Sequence, residues 1–371
     1  MTDAIPSTDT YALRAAAVRE IAAPELNYRP PAPKTYRPRI GLIGAGGIAA
    51  SHLDAYRTAG WDVAAICNRS LAKAQSRAAE FAPKAWVTDR YEDVLADLEI
   101  DVVDITPHPA ERLPIIEAAL KAGKHVLSQK PFVLNLDDGE KLVKLAQDKG
   151  LKLAVNQNGR WSPHMAWMRE AVRAGLIGDV IAAHTAVHWN HGWIAGTPFE
   201  KIEDVILFDF AIHWFDFVTS ITGKRAESVF ATTNMALKQT SPVPLLAQVL
   251  VRLQGGQASL IFDGVTSIGP QDLTFVVGSK GSLSSTGPDL GQQVVTLTTS
   301  QGRTHPELPG TWFNDGFRGA MGALLVAIEN NIEPANGASE NLQSLSLAFA
   351  AIQSRRTGRE VRVGEVRKII S

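Results

Sequence analysis

From Arg39 onward the chain alternates between short apolar runs and longer segments in which apolar residues recur every three or four positions. The runs RIGLIG (39–44), DVAAIC (62–67), KAWVT (84–88), DVVDIT (101–106), KHVLS (124–128) and LKLAVN (151–156) have the length and composition of strands. Between them, AASHLDAYRTAG (49–60) and PIIEAALKAG (114–123) have helical spacing. Strands that alternate with helices predict a parallel sheet covered by helices, because a parallel neighbour requires a long crossover.

The rhythm changes after about Asn158. A helix over 163–175 and a strand over 179–189 lead into LFDFAIHWFD (207–216), and five further strands follow within 227–299. Helices joined to consecutive strands predict an α+β domain with a mostly antiparallel, open sheet. A closing helix over 340–358 carries arginines near its end, where they suit the helix dipole. Three units result: an arm of residues 1–38, a dinucleotide-binding α/β domain of residues 39–158, and a C-terminal domain of residues 159–371 for substrate binding and oligomerisation. The arm holds a short helix over 10–22 and then five prolines from Pro24 to Pro38 that favour extended backbone, free to reach a neighbouring subunit.

Composition adds exclusions. With 371 residues, 45% hydrophobic and 20% charged, the chain is long enough for two well-filled cores. A net charge of −1 offers no field for nucleic acid or an anionic membrane, so the expected partner is a small molecule. The single cysteine, Cys67, excludes an internal disulfide and any Cys-based zinc cluster. The N-terminus has acids and no uninterrupted apolar core, and no later run reaches membrane-spanning length, so the expected location is the cytoplasm.

The first strand runs directly into GAGGIA, a G-x-G-x-x-A pattern of Gly44, Gly46 and Ala49, with Gly47 and Ile48 inside it. Gly44 permits the tight turn, Gly46 lets the backbone approach a pyrophosphate, and Ala49 lets helix pack on strand. At the head of a βαβ series this predicts a Rossmann doubly wound domain with the cofactor phosphates at the helix N-terminus. At the end of the second strand stand Asn68 and Arg69, with no acid for a ribose diol. An arginine there grips a 2′-phosphate, so NADP is favoured over NAD.

In LFDFAIHWFD, helical spacing puts Asp209, His213 and Asp216 on one face. Three readings stand: a core histidine held by a carboxylate, a metal site completed by His188 and His191, or a general acid/base with a carboxylate partner. The segments GLIGAGGIAASHL (41–53), DITPHPAERLPIIEAALKAGKHVLSQKP (104–131) and FDFAIH (208–213) together resemble the Gfo/Idh/MocA oxidoreductases. The resemblance runs from about Arg39 to the last helix. It implies a Rossmann domain, an open-sheet domain often used for oligomerisation, and oxidation or reduction of a carbinol carbon of a sugar, cyclitol or related polyol.

It also implies roles. Lys130 of the family's Glu-Lys-Pro motif, written here Gln129-Lys130-Pro131, would hydrogen-bond the reacting hydroxyl. His213 would exchange its proton, and Asp209 would bind substrate hydroxyls and bias the imidazole. Thr106, Pro107 and His108 fit the nicotinamide-side loop, although Glu111 and Arg112 stand where the family commonly has a histidine. Gln129 is the main departure. Asp216 reads as structural. Asn158, Arg160, Trp161, His188 and Trp193 are candidate substrate contacts, with His191 lining the pocket and Trp189 and Trp193 offering flat faces to a sugar ring. No metal is expected. Two rivals stay open: a binding or regulatory protein that has lost turnover, and a metal-dependent lyase or hydrolase, although the histidine spacing matches no compact metal motif such as H-E-x-x-H. The apolar strands within 227–299 would leave a large exposed patch, which predicts a homodimer or homotetramer.

Overall fold

A computed structural model describes residues 17–369. Six parallel strands form the first sheet in the order β3-β2-β1-β4-β5-β6: β1 (Arg39–Ile43), β2 (Asp62–Cys67), β3 (Trp86–Thr88), β4 (Ile100–Ile105), β5 (His125–Gln129) and β6 (Leu153–Asn156). Helices α1 (Ala49–Ala59), α2 (Leu71–Phe81), α3 (Tyr91–Ala96), α4 (Pro109–Lys121) and α5 (Leu136–Asp148) connect them. Most strand residues are buried, as a sheet covered on both faces requires. The reversal of strand order lies between β1 and β4, so ligands are expected at the carboxyl ends of those strands.

After α6 (Pro163–Arg173) the chain builds a nine-stranded sheet from β7 (Val180–His188), β8 (Ala226–Asn234), β9 (Leu246–Leu253), β10 (Gly256–Asp263), β11 (Gln271–Gly278), β12 (Gly281–Asp289), β13 (Gln292–Thr299), β14 (Gly302–Thr304) and β15 (Val361–Arg362). All pairs are antiparallel except β7 with β10. Helices α6, α7 (Ile212–Thr222) and α9 (Ala338–Thr357) pack on one face. The other face is open. Phe230, Leu250, Ser259, His184 and Phe275 lie side by side there in register on five neighbouring strands.

One long helix was not legible in the hydrophobic pattern. Helix α8 (Trp312–Asn330) returns to the first domain, where Phe317, Met321, Leu324 and Leu325 share a core with Ile40, Leu42 and Val102. Gly316, Gly319 and Gly322 lower its helix propensity. Their reason is close approach: a Cβ on Gly316 would lie 2.7 Å from the Asn158 carbonyl oxygen, one on Gly319 would enter the Trp161 ring, and one on Gly322 would strike the Pro31 carbonyl.

The arm also departs from expectation. The helix expected over 10–22 falls partly outside the described residues, and residues 17–22 are not helical. Instead the Ile21 N–H donates to the Arg303 carbonyl and the Arg303 N–H to that of Arg19, each at 2.8 Å. The unpaired edge of β14 recruits the arm as a strand-like partner. The arm then runs along the Rossmann side of its own chain, where the N–H groups of Lys34, Thr35 and Tyr36 donate to the Glu329 carboxylate at the end of α8 and hold its pKa down at about 2.

Candidate active site

The turn after β1 is built to receive phosphate. Gly44 has φ +104°, and a Cβ on it would lie 2.5 Å from Thr106 Oγ1 and 2.9 Å from Pro107 Cδ. Thr106 Oγ1 donates to the Gly44 carbonyl at 2.8 Å, and the Ala45 N–H donates to Asn68 Oδ1 at 2.9 Å. Around Gly46 and Gly47 there is open space, and Ala49 is fully buried behind them. No side chain caps Ile48 at the N-terminus of α1, where the Ser51 N–H already turns back to the Ile48 carbonyl at 3.0 Å. This cradle fits a dinucleotide pyrophosphate. Arg69 pairs with Glu111 Oε1 at 3.0 Å across the same cleft, and both are exposed.

At the carboxyl end of β5, the Lys130 ammonium donates to Asp209 Oδ2 at 3.1 Å and to the Asp209 carbonyl at 2.8 Å. Asp209 does not partner His213, as one helical face had predicted. Residues Ile206–Phe210 form a π-helical turn, closed by a 2.7 Å bond from the Ala211 N–H to the Ile206 carbonyl. The extra residue rotates Asp209 off the face of α7 and toward Lys130. His213, in the first turn of α7, is partly buried; its Nδ1 is sealed from solvent without a hydrogen-bond partner, beside Gly159 and the edge of Trp312. Burial, and after it the Lys130 charge, push the imidazole well below its ordinary pKa. That burial favours the neutral form of the imidazole.

An aromatic wall faces this group. His191 lies 4.1 Å from the Phe210 ring centroid and 5.7 Å from that of Trp193, which meets Phe199 edge-on at 5.6 Å. Phe199 in turn meets His108 of the first domain at 5.7 Å. Burial lowers His191 to about 4. Trp193 remains 57% exposed and free to stack. The loop that carries these rings is tied down at Asp204, which accepts from Arg355 and Arg356 at 2.7 Å each.

Four candidate substrate contacts are buried or turned elsewhere. Phe262 packs on Trp214 beneath the helices, so its successor Asp263 and the paired His188 point to the open face. His188 Nδ1 bonds Asp263 Oδ2 there at 2.7 Å, and the sheet separates it from Asp209. The Arg160 guanidinium is committed to Asp216 through Nε at 2.6 Å and Nη2 at 2.8 Å, with Nη1 on the Ala335 carbonyl. Trp161 is buried against Gly319 of α8. Asn158 is also buried, with its Nδ2 unpartnered. Among the described residues no three His, Cys, Asp or Glu side chains are grouped as metal ligands would be.

Two residues at the site were not foreseen in these roles. Trp312 of α8 backs His213, a contact hidden because the helix itself was hidden. Arg112 is fully buried and donates through Nη2 to the Pro131 carbonyl, next to Lys130; burial lowers it to about 9. Its only signal is a basic residue on the otherwise apolar inner face of α4.

Residues 38–157 match the family model described as an oxidoreductase family with an NAD-binding Rossmann fold, and residues 165–284 match the GFO/IDH/MocA C-terminal domain. The chain is 26% identical to D-apiose dehydrogenase of Paraburkholderia graminis over 340 residues, covering 86% of this chain and 88% of the relative. It is 26% identical to inositol 2-dehydrogenase of Rhizobium meliloti over 333 residues, covering 88% and 99%. Among solved structures, an oxidoreductase from Agrobacterium radiobacter in complex with NAD+, L-tartaric acid and magnesium superposes with a TM-score of 0.79 at 22% identity, covering 89% of this chain and 99% of that one, a likeness of fold.

Proposed function

The chain belongs to the Gfo/Idh/MocA oxidoreductases, and from that premise we propose that it transfers a hydride between NADP or NAD and a carbinol or carbonyl carbon of a sugar, cyclitol or related polyol. The observation that carries this reading is the placement of Lys130, Asp209 and His213 together at the carboxyl edge of β5, on the side of the sheet that also carries the phosphate turn. A bound nicotinamide supplies the hydride acceptor or donor. Lys130 donates a hydrogen bond to the reacting oxygen and stabilises the alkoxide that develops on it. His213 Nε2 takes the hydroxyl proton, and its low pKa keeps the acceptor form populated through the physiological range. Asp209 holds the ammonium in place and accepts from neighbouring substrate hydroxyls. Trp193, Phe199 and His191 give the carbon face of a ring an aromatic surface.

NADP is preferred in this reading, because Arg69 stands at the strand tip without an acid beside it on the strand. The test is a thermal-shift screen of the full chain with NADP(H) and NAD(H), alone and with inositols, D-apiose and related sugars, followed by nicotinamide absorbance on the hits. Stabilisation by cofactor and cofactor-dependent turnover of a polyol are expected. Cofactor stabilisation without turnover of any polyol or sugar in the panel would favour a binding protein on this fold.

A further inference from the structure

Beneath the Lys130–Pro131 peptide runs a chain of buried hydrogen bonds that the proposed chemistry does not use. His52 of α1, Asp104 of β4, Gln129 of β5 and Asn156 of β6 are each at most 6% exposed. Asp104 Oδ2 accepts from Tyr56 Oη at 2.6 Å and lies 2.6 Å from His52 Nδ1. A carboxylate only accepts, so the proton of this pair resides on Nδ1. On the other side of the ring, His52 Nε2 faces Gln129 Nε2 at 2.9 Å and Asn156 Nδ2 at 3.2 Å. The orientation of the glutamine amide is settled independently: the Lys130 N–H, a donor, lies 2.7 Å from its Oε1, which leaves its NH2 group toward the histidine. The Nε2 atom of His52 therefore presents a lone pair to two amide donors. Phe317 of α8 closes the remaining side of the ring at a centroid distance of 4.4 Å.

We propose that Asp104, His52 and Gln129 form a positioning relay for Lys130, with His52 held as the neutral Nδ1-protonated tautomer and Gln129 as the nearer of its two donors. This inference rests on the assignment of Lys130 to the reacting oxygen. Gln129 spends one end of its amide on His52 and the other on the main chain of Lys130. The Lys130 ammonium then reaches Asp209, and Arg112 holds the next carbonyl, that of Pro131. The glutamine in place of the resembling family's glutamate follows from this arrangement. A carboxylate at position 129 accepts from the Lys130 N–H equally well but sets a second acceptor against the Nε2 lone pair at the 2.9 Å contact, a clash that the Asn156 donor does not relieve and that a second proton on His52, between two carboxylates, would.

The test needs no turnover, which separates its failure from failure of the oxidoreductase reading. The full chain with NADH is labelled with 15N-histidine and 15N-lysine, and His52 and Lys130 are assigned by their loss in His52→Asn and Lys130→Met. The wild type is expected to show His52 protonated at Nδ1 only, Gln129→Glu to show it protonated at both nitrogens, and Gln129→Met to shift or broaden the Lys130 ammonium signal while NADH affinity stays within about threefold. An Nε2-protonated or doubly protonated His52 in the wild type overturns the tautomer. A Lys130 signal unchanged in both Gln129 variants overturns the positioning role; if the methionine variant does not fold, an unchanged signal in the near-isosteric glutamate variant is enough to overturn it.

Discussion

Lys130 holds Asp209 by two bonds at once, 3.1 Å to its carboxylate and 2.8 Å to its carbonyl, so the residue proposed to touch the reacting oxygen also fixes the π-helical turn that precedes His213. Lys130→Ala and His213→Ala are each expected to lower kcat by about 10² to 10⁴, with cofactor affinity nearly unchanged. Asp209→Asn is expected to lower kcat and raise KM together, because it loosens the ammonium and removes an acceptor for substrate hydroxyls. The acid limb of kcat/KM for oxidation is expected below the ordinary histidine value of about 6.5. Lys130→Met should move it upward, since the Lys130 charge depresses His213. Steady-state kinetics across pH on an accepted polyol checks all four. A His213→Ala variant with full turnover and reduced thermal stability would return that residue to the core.

Asp216 is expected to act on stability rather than chemistry. It is 2% exposed and satisfies the buried Arg160 guanidinium on two nitrogens, with Ser344 Oγ donating to it at 3.1 Å. Asp216→Asn leaves a buried cation half-compensated, an effect of about 3 to 5 kcal/mol by analogy with broken buried pairs. Urea unfolding reads the loss, and kcat per folded molecule should stay within a few-fold of wild type.

The pH dependence of stability has two opposing sources. Burial lowers His164 to about 3 and His191 to about 4, so the native state excludes protons that the unfolded chain binds below about 6.5. Their stability is present above that pH and lost as pH falls toward the folded values. Asp272 works the other way: it is 2% exposed, neither carboxylate oxygen has a partner, and burial raises it to about 7. Its contribution is complete below about 4 and is lost as pH rises through 7. The histidines outnumber it, so wild-type stability should rise from pH 4 to 6.5. Relative to wild type, Asp272→Asn should gain stability across pH 4 to 7 with a slope of at most about 1.4 kcal/mol per pH unit and then level off. Urea midpoints at five pH values decide this, and a pH-independent difference would rule it out.

Cofactor choice is expected to depend on the Arg69–Glu111 pair. Arg69→Ala should weaken NADP(H) about tenfold or more and leave NAD(H) nearly unchanged, the loss of a charge-assisted contact to phosphate. Because the pair is exposed, releasing Arg69 by Glu111→Gln should strengthen NADP(H) by at most about fivefold. Fluorescence titrations of both cofactors measure the ratio, and tighter binding of NAD(H) than NADP(H) by the wild type would refute the preference.

The open face of the nine-stranded sheet is expected to bind a second copy of the chain. Leu250 is 59% exposed and Phe275 47%, in a row that also holds Phe230, and a second copy would remove this apolar surface from water. Light scattering at micromolar concentration should give a dimer or tetramer, and Leu250→Asp should shift it toward the monomer. A wild-type monomer would exclude this assembly.

Local pattern was sufficient for the parts of this protein whose physics is local. The period of the apolar runs gives β1 to β6 with α1 and most of α4, and G-x-G-x-x-A gives the phosphate turn, because a tight strand-to-helix turn admits few residues at Gly44. The apolar alternation within 227–299 likewise gives five strands of the open sheet and misses β12, whose GSLSSTGPD holds one large apolar residue and is a strand by virtue of its neighbours. The tertiary structure decided what those elements meet. Asp209 turns to Lys130 because one extra residue in a π turn breaks the helical face, and His188 is lost to the open face because side chains on a strand alternate. Arg160 faces Asp216 across 56 positions, and α8 reads poorly as a helix because its three glycines answer to Asn158, Trp161 and Pro31, contacts made far along the chain. Gln129 looks like a lost carboxylate in sequence. Only the fold brings His52, Asp104 and Asn156 around it, and the donors and acceptors of those four side chains, matched in a space closed to water, explain why an amide stands there.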